Sequence, residues 1–185
     1  MNMGWWIALG IAVILVIWLV GSYNSFIKLR NKVEEAFASM DVYLKKRYDL
    51  IPNFVETVKG YAKHEQETLS RVIAARNGAV SASTTEERLA QDNILQGTLR
   101  SLFAVAEAYP NLQANTNFLE LQRQLQALEG EIERSRRFYN AVVNQYNTKI
   151  ELFPGNLLAG LFHFSRKPLY EVSAPEEREN VKVQF

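Results

Sequence analysis

The sequence has no cysteine, which excludes a disulfide framework, a thiolate metal site, a Cys nucleophile and a lipidated Cys. Only two His are present, too few for a His-rich metal centre. Charge is absent from the first 27 residues, so all 21 Lys+Arg and 20 Asp+Glu fall in residues 28–185. The resulting net charge of +1 does not suit a protein working by bulk attraction to nucleic acid, and no nucleic-acid partner is expected. Catalytic signatures are missing as well. His64-Glu65 opens like a zinc-protease motif, but position 68 is Thr where a second His would have to share the helix face. Tyr61 and Gly160 stand three residues before the two His, so no Glu-x-x-His pair exists for a di-iron bundle. There is no G-x-S-x-G elbow, Walker A loop or G-x-G-x-x-G turn. The expectation is a protein without enzymatic activity, metal or cofactor.

What the sequence does contain begins with residues 3–20, eighteen consecutive apolar or Gly residues. At helical rise they span roughly 27 Å, close to a hydrocarbon core of about 30 Å. Trp5 and Trp6 at one end and Trp18 and Tyr23 at the other suit the two interfaces. A cleaved signal peptide calls for a positive n-region and a short apolar core, and the segment has neither; Val20-Gly21-Ser22 is only a weak cleavage site. Lys28, Arg30 and Lys32 follow the run and no Lys or Arg precedes it. The positive-inside rule then places the N-terminus outside and the C-terminal part in the cytoplasm, an assignment with which zero cysteines agrees.

The remainder reads as helix, with no alternating pattern of strand length. No Gly or Pro interrupts residues 22–51, and Phe26, Leu29, Val33, Ala36, Met40 and Tyr43 step by three and four. The apolar helix is therefore expected to continue into the first soluble helix. Pro52 predicts a break, with Asp49 capping a second helix that carries Val55, Val58, Ala62, Glu65, Leu69 and Val72 inward. Asn77-Gly78 predicts a stop and a loop to Thr85, after which Thr84 with Glu87 forms a capping box. A third helix follows, with Leu89, Leu95, Leu99, Leu102 and Ala106 inward, and ends near Tyr109-Pro110. Residues 115–117 offer caps for a fourth and longest helix reaching about Leu152, where Pro154-Gly155 stops it. The reading is an all-α protein in which a single transmembrane helix continues into an antiparallel four-helix bundle. Its parts are an anchor at 1–22, a bundle at 23–153, a short apolar segment at 154–169 and a charged tail at 170–185.

Two sets of residues stand out. Arg47, Glu65 and Arg76 occupy seam positions where apolar side chains are expected, and a buried charge is costly unless paired. Pairing with neighbours such as Asp41 or Asp49, fixing helix register, is the structural account; a polar pocket or partner site is the functional one. On the fourth helix, Arg134, Arg136 and Arg137 follow Glu129, Glu131 and Glu133 by about a turn, which predicts pairing along the helix surface. The second set is Leu157, Leu158, Leu161 and Phe162 in the segment NLLAGLFHF. They either cap the bundle core or, if the helices alternate in direction, lie near the bilayer with Arg166 and Lys167 beside lipid headgroups.

The run Leu44-Lys45-Lys46-Arg47-Tyr48-Asp49-Leu50-Ile51-Pro52-Asn53, with Thr57-Val58-Lys59-Gly60-Tyr61 and His64-Glu65 after it, closely resembles the LemA family. So do Tyr23-Asn24, Arg30-Asn31, Tyr109-Pro110, Asn117-Phe118, Tyr139-Asn140, Tyr146-Asn147, Phe153-Pro154 and the terminal Lys182-Val183-Gln184-Phe185. Phe37 departs from the Trp found in many members but keeps an aromatic. The resemblance covers essentially the whole chain. It implies a bacterial inner-membrane protein with one N-terminal span and a cytoplasmic helical bundle, and it brings no enzymatic activity. Some relatives look tied to membrane compartments and others resemble genomic neighbours of membrane proteases, which suggests a scaffold or adaptor by analogy. The expected partners are the lipid bilayer, further copies of the chain and other membrane proteins. A membrane-remodelling or lipid-organising coat is the alternative.

Overall fold

A computed structural model describes residues 3–171. Every regular element among them is an α-helix: α1 Met3–Tyr61, α2 Gln66–Ser81, α3 Thr85–Glu107, α4 Pro110–Gln113, α5 Thr116–Glu151 and α6 Gly155–Leu161. The all-α expectation holds. The chain divides into two compact units: Met1–Ser39 with Arg137–Leu169, and Met40–Arg136 with Tyr170–Phe185.

The first unit takes the leading part of α1, the trailing part of α5, and α6 with the chain after it. α1 is the one described helix long and apolar enough to cross a membrane, and no part of its most apolar window is buried. Beyond that run Phe26 is fully buried, stacked on Phe164 at 5.1 Å, and Tyr23 meets Phe162 edge-on at 4.9 Å. The chain leaving α6 is tied to α5 by Asn147, whose side-chain amide donates to the Lys167 carbonyl and accepts from the Lys167 amide, each at 2.9 Å. The Tyr139 hydroxyl adds a bond to the Pro168 carbonyl at 2.8 Å. The turn from α5 into α6 needs Gly155, because a Cβ there would lie 2.5 Å from the Lys149 carbonyl oxygen and 3.3 Å from the Phe26 ring.

The second unit holds the rest of α1 and the start of α5 together with α2, α3 and α4. Phe54 of α1 sits between Phe103 of α3 and Phe118 of α5, with ring centroids 5.2 Å away on each side. Arg47, two turns earlier on α1, meets Asp92 of α3 and Glu129 of α5. α3 therefore runs alongside α1 in the same direction, and α5 runs against both. The capping box is present: Thr84 Oγ1 accepts from the Glu87 amide, and the Glu87 carboxylate accepts from the Thr84 amide. Asn115 caps α5, its side-chain oxygen accepting from the Phe118 amide at 2.9 Å.

Two expected boundaries are corrected. α1 does not break at Pro52 but passes through it, and Asp49 caps nothing: it lies exposed within the helix. Proline has no N–H for the carbonyl four residues back, which is that of Tyr48. Arg76 of α2 fills the gap, its Nε donating to that carbonyl at 3.1 Å. The actual interruption falls at residues 62–65, just after Gly60-Tyr61. Asn77-Gly78 does not stop α2, which continues to Ser81 with Ala75 and Ala79 buried against the unit's core. Gly78 serves packing, since a Cβ would come within 2.6 Å of the Gln91 side chain on α3. The end of α3 near Tyr109-Pro110 is as expected, at Glu107, and Pro110 opens the single turn α4, where a missing N–H costs no helical bond.

Candidate functional site

The charged seam residue Arg47 is 2% exposed and lies among polar side chains from four segments. One guanidinium nitrogen pairs with Asp92, which is fully buried, and the other donates to Glu129 at 2.8 Å. The Tyr48 hydroxyl donates to Asp92 Oδ1 at 3.0 Å and the Tyr170 hydroxyl to Asp92 Oδ2 at 2.6 Å. Gln96 completes the ring by donating to the other Glu129 oxygen at 2.8 Å. Of the Arg47 nitrogens only Nε has no hydrogen-bond partner. A cavity of about 260 Å³ borders the cluster, with Leu99, Phe103 and Leu125 among its walls.

The electrostatics follow from this geometry. Burial alone would lower the Arg47 pKa, but the Asp92 and Glu129 carboxylates outweigh it and the cation is held more firmly than in water. Burial pushes both phenols, Tyr48 and Tyr170, well above the ordinary tyrosine range, and the adjacent Asp92 carboxylate adds to that. Neither the guanidinium nor either phenol exchanges a proton near neutral pH. The cluster ties α1, α3, α5 and Tyr170 together. Among the described residues, no group of three or more His, Asp or Glu could hold a metal ion.

The five residues singled out from the sequence do not form one cluster. Arg47 pairs with neither Asp41 nor Asp49; its partners lie on α3 and α5, because a guanidinium aimed into the core needs carboxylates from facing helices. Asp41 pairs with Arg88 of α3 at 2.6 Å. Glu65 accepts from the Tyr109 hydroxyl at 3.2 Å, and Arg76 supports the backbone at Pro52. On α5, Arg134 pairs with Glu131 as expected. Glu129 instead turns to Arg47, and Arg136 lies over the Tyr170 ring at 5.4 Å. Sequence reasoning missed Asp92 and Tyr170. Asp92 had a signal: it stands three residues from both Leu89 and Leu95 on the inward face of α3. Tyr170 had none, placed at the head of a charged tail; the terminal Lys182–Phe185 match lies outside the described residues.

The second candidate set lies in the first unit. Trp5, Trp6 and Trp18 are exposed at 78%, 61% and 40%. Lys28 and Lys32 are exposed; Tyr23 and Arg30 are half-buried. The segment after α5 divides by face. Leu158 is buried, so capping the core is its role, whereas Leu157 and Leu161 stand 64% and 65% exposed and Phe162 39%. Leu152 and Phe153, just before α6, are exposed too, at 61% and 79%. Arg166 pairs with Glu151 at 3.1 Å, and Lys167 is half-buried against Asn147.

Comparison with known proteins is consistent with this picture. The LemA family model matches residues 36–185. A relative named Protein LemA, from Metamycoplasma hominis, is 26% identical over 161 residues, covering 85% of this chain and 72% of its own length. Magnetosome protein MamQ 2 from Paramagnetospirillum magneticum is 24% identical over 179 residues, covering 83% of this chain. MamQ 1 of the same organism matches equally, and the chain spans 66% of each MamQ protein, just under two thirds.

Proposed function

The chain belongs to the LemA family, and from that premise we propose that it is a membrane-anchored helical scaffold or adaptor of the bacterial inner membrane. It works without catalysis of its own and self-associates through exposed helix faces, with other membrane proteins as further partners. The observation that carries this reading is the continuity of α1. A single helix of 59 residues joins an uncovered apolar run to the paired charges of the second unit, with no break even at Pro52. The relatives' names point the same way, since two are named for the magnetosome and none for a reaction. With Lys28, Arg30 and Lys32 on its inner flank, the helix has its N-terminus outside.

The test is the mass of the full-length protein, extracted gently from membranes and read by mass photometry, alongside cross-linking in the membrane. A discrete oligomer or a defined co-purifying membrane protein is the expected result. Monomers alone, with no partner in either experiment, would sink the scaffold reading.

A second reading, a lipid-organising coat, is favoured by the exposure of Leu152, Phe153, Leu157 and Leu161 within ten residues of chain. Because Leu157 and Leu161 carry little packing, Leu157→Glu with Leu161→Glu should weaken vesicle deformation by the protein without lowering its melting temperature. Unchanged deformation would remove this reading.

A further inference from the structure

We propose that a notch beside the end of the apolar run of α1 holds the phosphate-bearing headgroup of a membrane lipid. The notch encloses about 300 Å³, and Trp18, Ser22, Thr148, Lys149 and Phe153 are among its walls. Its depth in a bilayer follows from α1. Trp18 closes the apolar run and Ser22 lies one turn further on, a rise of about 6 Å, which is the headgroup level if residues 3–20 span the hydrocarbon. The assignment thus rests on the membrane-anchor reading.

The chemistry of the walls selects the ligand. Among the described residues, Lys149 is the one cation in the lining and no carboxylate lines the notch. Its ammonium donates to the Ser25 hydroxyl and lies over the Phe26 ring at 5.4 Å, which fixes its position without neutralising it. An ammonium has three donors, so two are left for an anion. The contrast with Arg166 is direct: that cation already has Glu151. Ser22 and Thr148 add hydroxyls able to donate to phosphate oxygens. The rim decides between a lipid and a soluble anion. Leu152 and Phe153 stand 61% and 79% exposed beside the notch, and the uncovered face of α1 runs away from it. A phosphodiester with acyl chains meets both the cation and the apolar rim, whereas inorganic phosphate would meet only the cation.

The experiment uses the full-length protein in nanodiscs of equal parts phosphatidylglycerol and phosphatidylcholine, with retained lipid counted by native mass spectrometry. Several-fold retention of phosphatidylglycerol over phosphatidylcholine is expected. Lys149→Gln should bring the two to parity, and Lys149→Arg should keep the preference. Thr148→Trp, at an exposed position on the rim, should block retention with an unchanged melting temperature, so the proposal does not depend on how Lys149→Gln folds. Equal retention by the unmodified protein, or a preference that survives both Lys149→Gln and Thr148→Trp, overturns it. Inorganic phosphate that strips the lipid at equimolar concentration would overturn the lipid as the source of the anion. Resistance of the protein to alkaline washing from membranes is read separately. A chain that washes off defeats the anchor reading, and one that stays but shows no lipid preference defeats the notch alone.

Discussion

Removing the Asp92 carboxylate would leave the buried Arg47 with Glu129 alone and take away the acceptor shared by the Tyr48 and Tyr170 hydroxyls. A buried pair broken from one side costs about 3–5 kcal/mol, because the remaining charge stays desolvated. Asp92→Ala should therefore cost that much, measured by urea denaturation in detergent. Arg47→Met with Asp92→Leu should recover most of it, since replacing both partners removes the stranded charge. The phenols give a sign on the pH axis. Both pKa values are raised on folding, so the folded state holds these protons more tightly than the unfolded one. The stability they contribute is complete below the ordinary tyrosine value of about 10 and is lost as pH rises above it. Stability should fall above pH ~10 by about 1.4 kcal/mol per pH unit for each of these tyrosines. Tyr170→Phe should remove one share of that slope. Absorbance titration should show Tyr48 and Tyr170 ionising only as the chain unfolds.

At the scale of the element, Pro52 and Arg76 form a compensating pair. Arg76→Ala would leave the Tyr48 carbonyl without a donor, at about 1–3 kcal/mol. Pro52→Ala restores an N–H to the same carbonyl, so in that background Arg76→Ala should cost markedly less. A double-mutant cycle reads the coupling directly, and additive costs would show that Arg76 acts elsewhere. The pair also shows what the sequence conceals. The three-four spacing made Phe26, Val33, Ala36, Met40, Val55 and Val58 legible as core positions of α1, but it named the half-buried Tyr43 where Leu44 is buried and passed over Ile51 and Phe54; the capping box at Thr84 and Glu87 was legible too. Local breaker chemistry at Pro52 and Asn77-Gly78 misled, because each is answered by a residue distant in sequence: Arg76 for the first, the α3 packing at Gln91 for the second. The polar cluster was half legible for the same reason. Arg47 advertised itself on a seam, but its partners lie 45 and 82 residues away, and period alone does not say which facing carboxylate a guanidinium will meet.

At the scale of the whole molecule, the decisive feature is that α1 begins with a run long and apolar enough to cross a membrane and carries charged residues further on. Leu15 and Val42 are both apolar residues of α1, exposed at 57% and 53%, so neither owes its place to packing within the protein. If the uncovered run of residues 3–20 lies in hydrocarbon, the two positions differ only in what surrounds them. An arginine at the centre of a spanning helix costs about 2.5–3.5 kcal/mol in insertion, whereas an arginine on a water-exposed helix face costs almost nothing. Ile11→Arg with Leu15→Arg should therefore move a large fraction of the protein from the alkali-resistant membrane pellet to the supernatant. Val42→Arg should leave it in the pellet. Equal fractionation of the two variants would show that the run is held by something other than a bilayer, and the scaffold, coat and headgroup readings would all lose their anchor together.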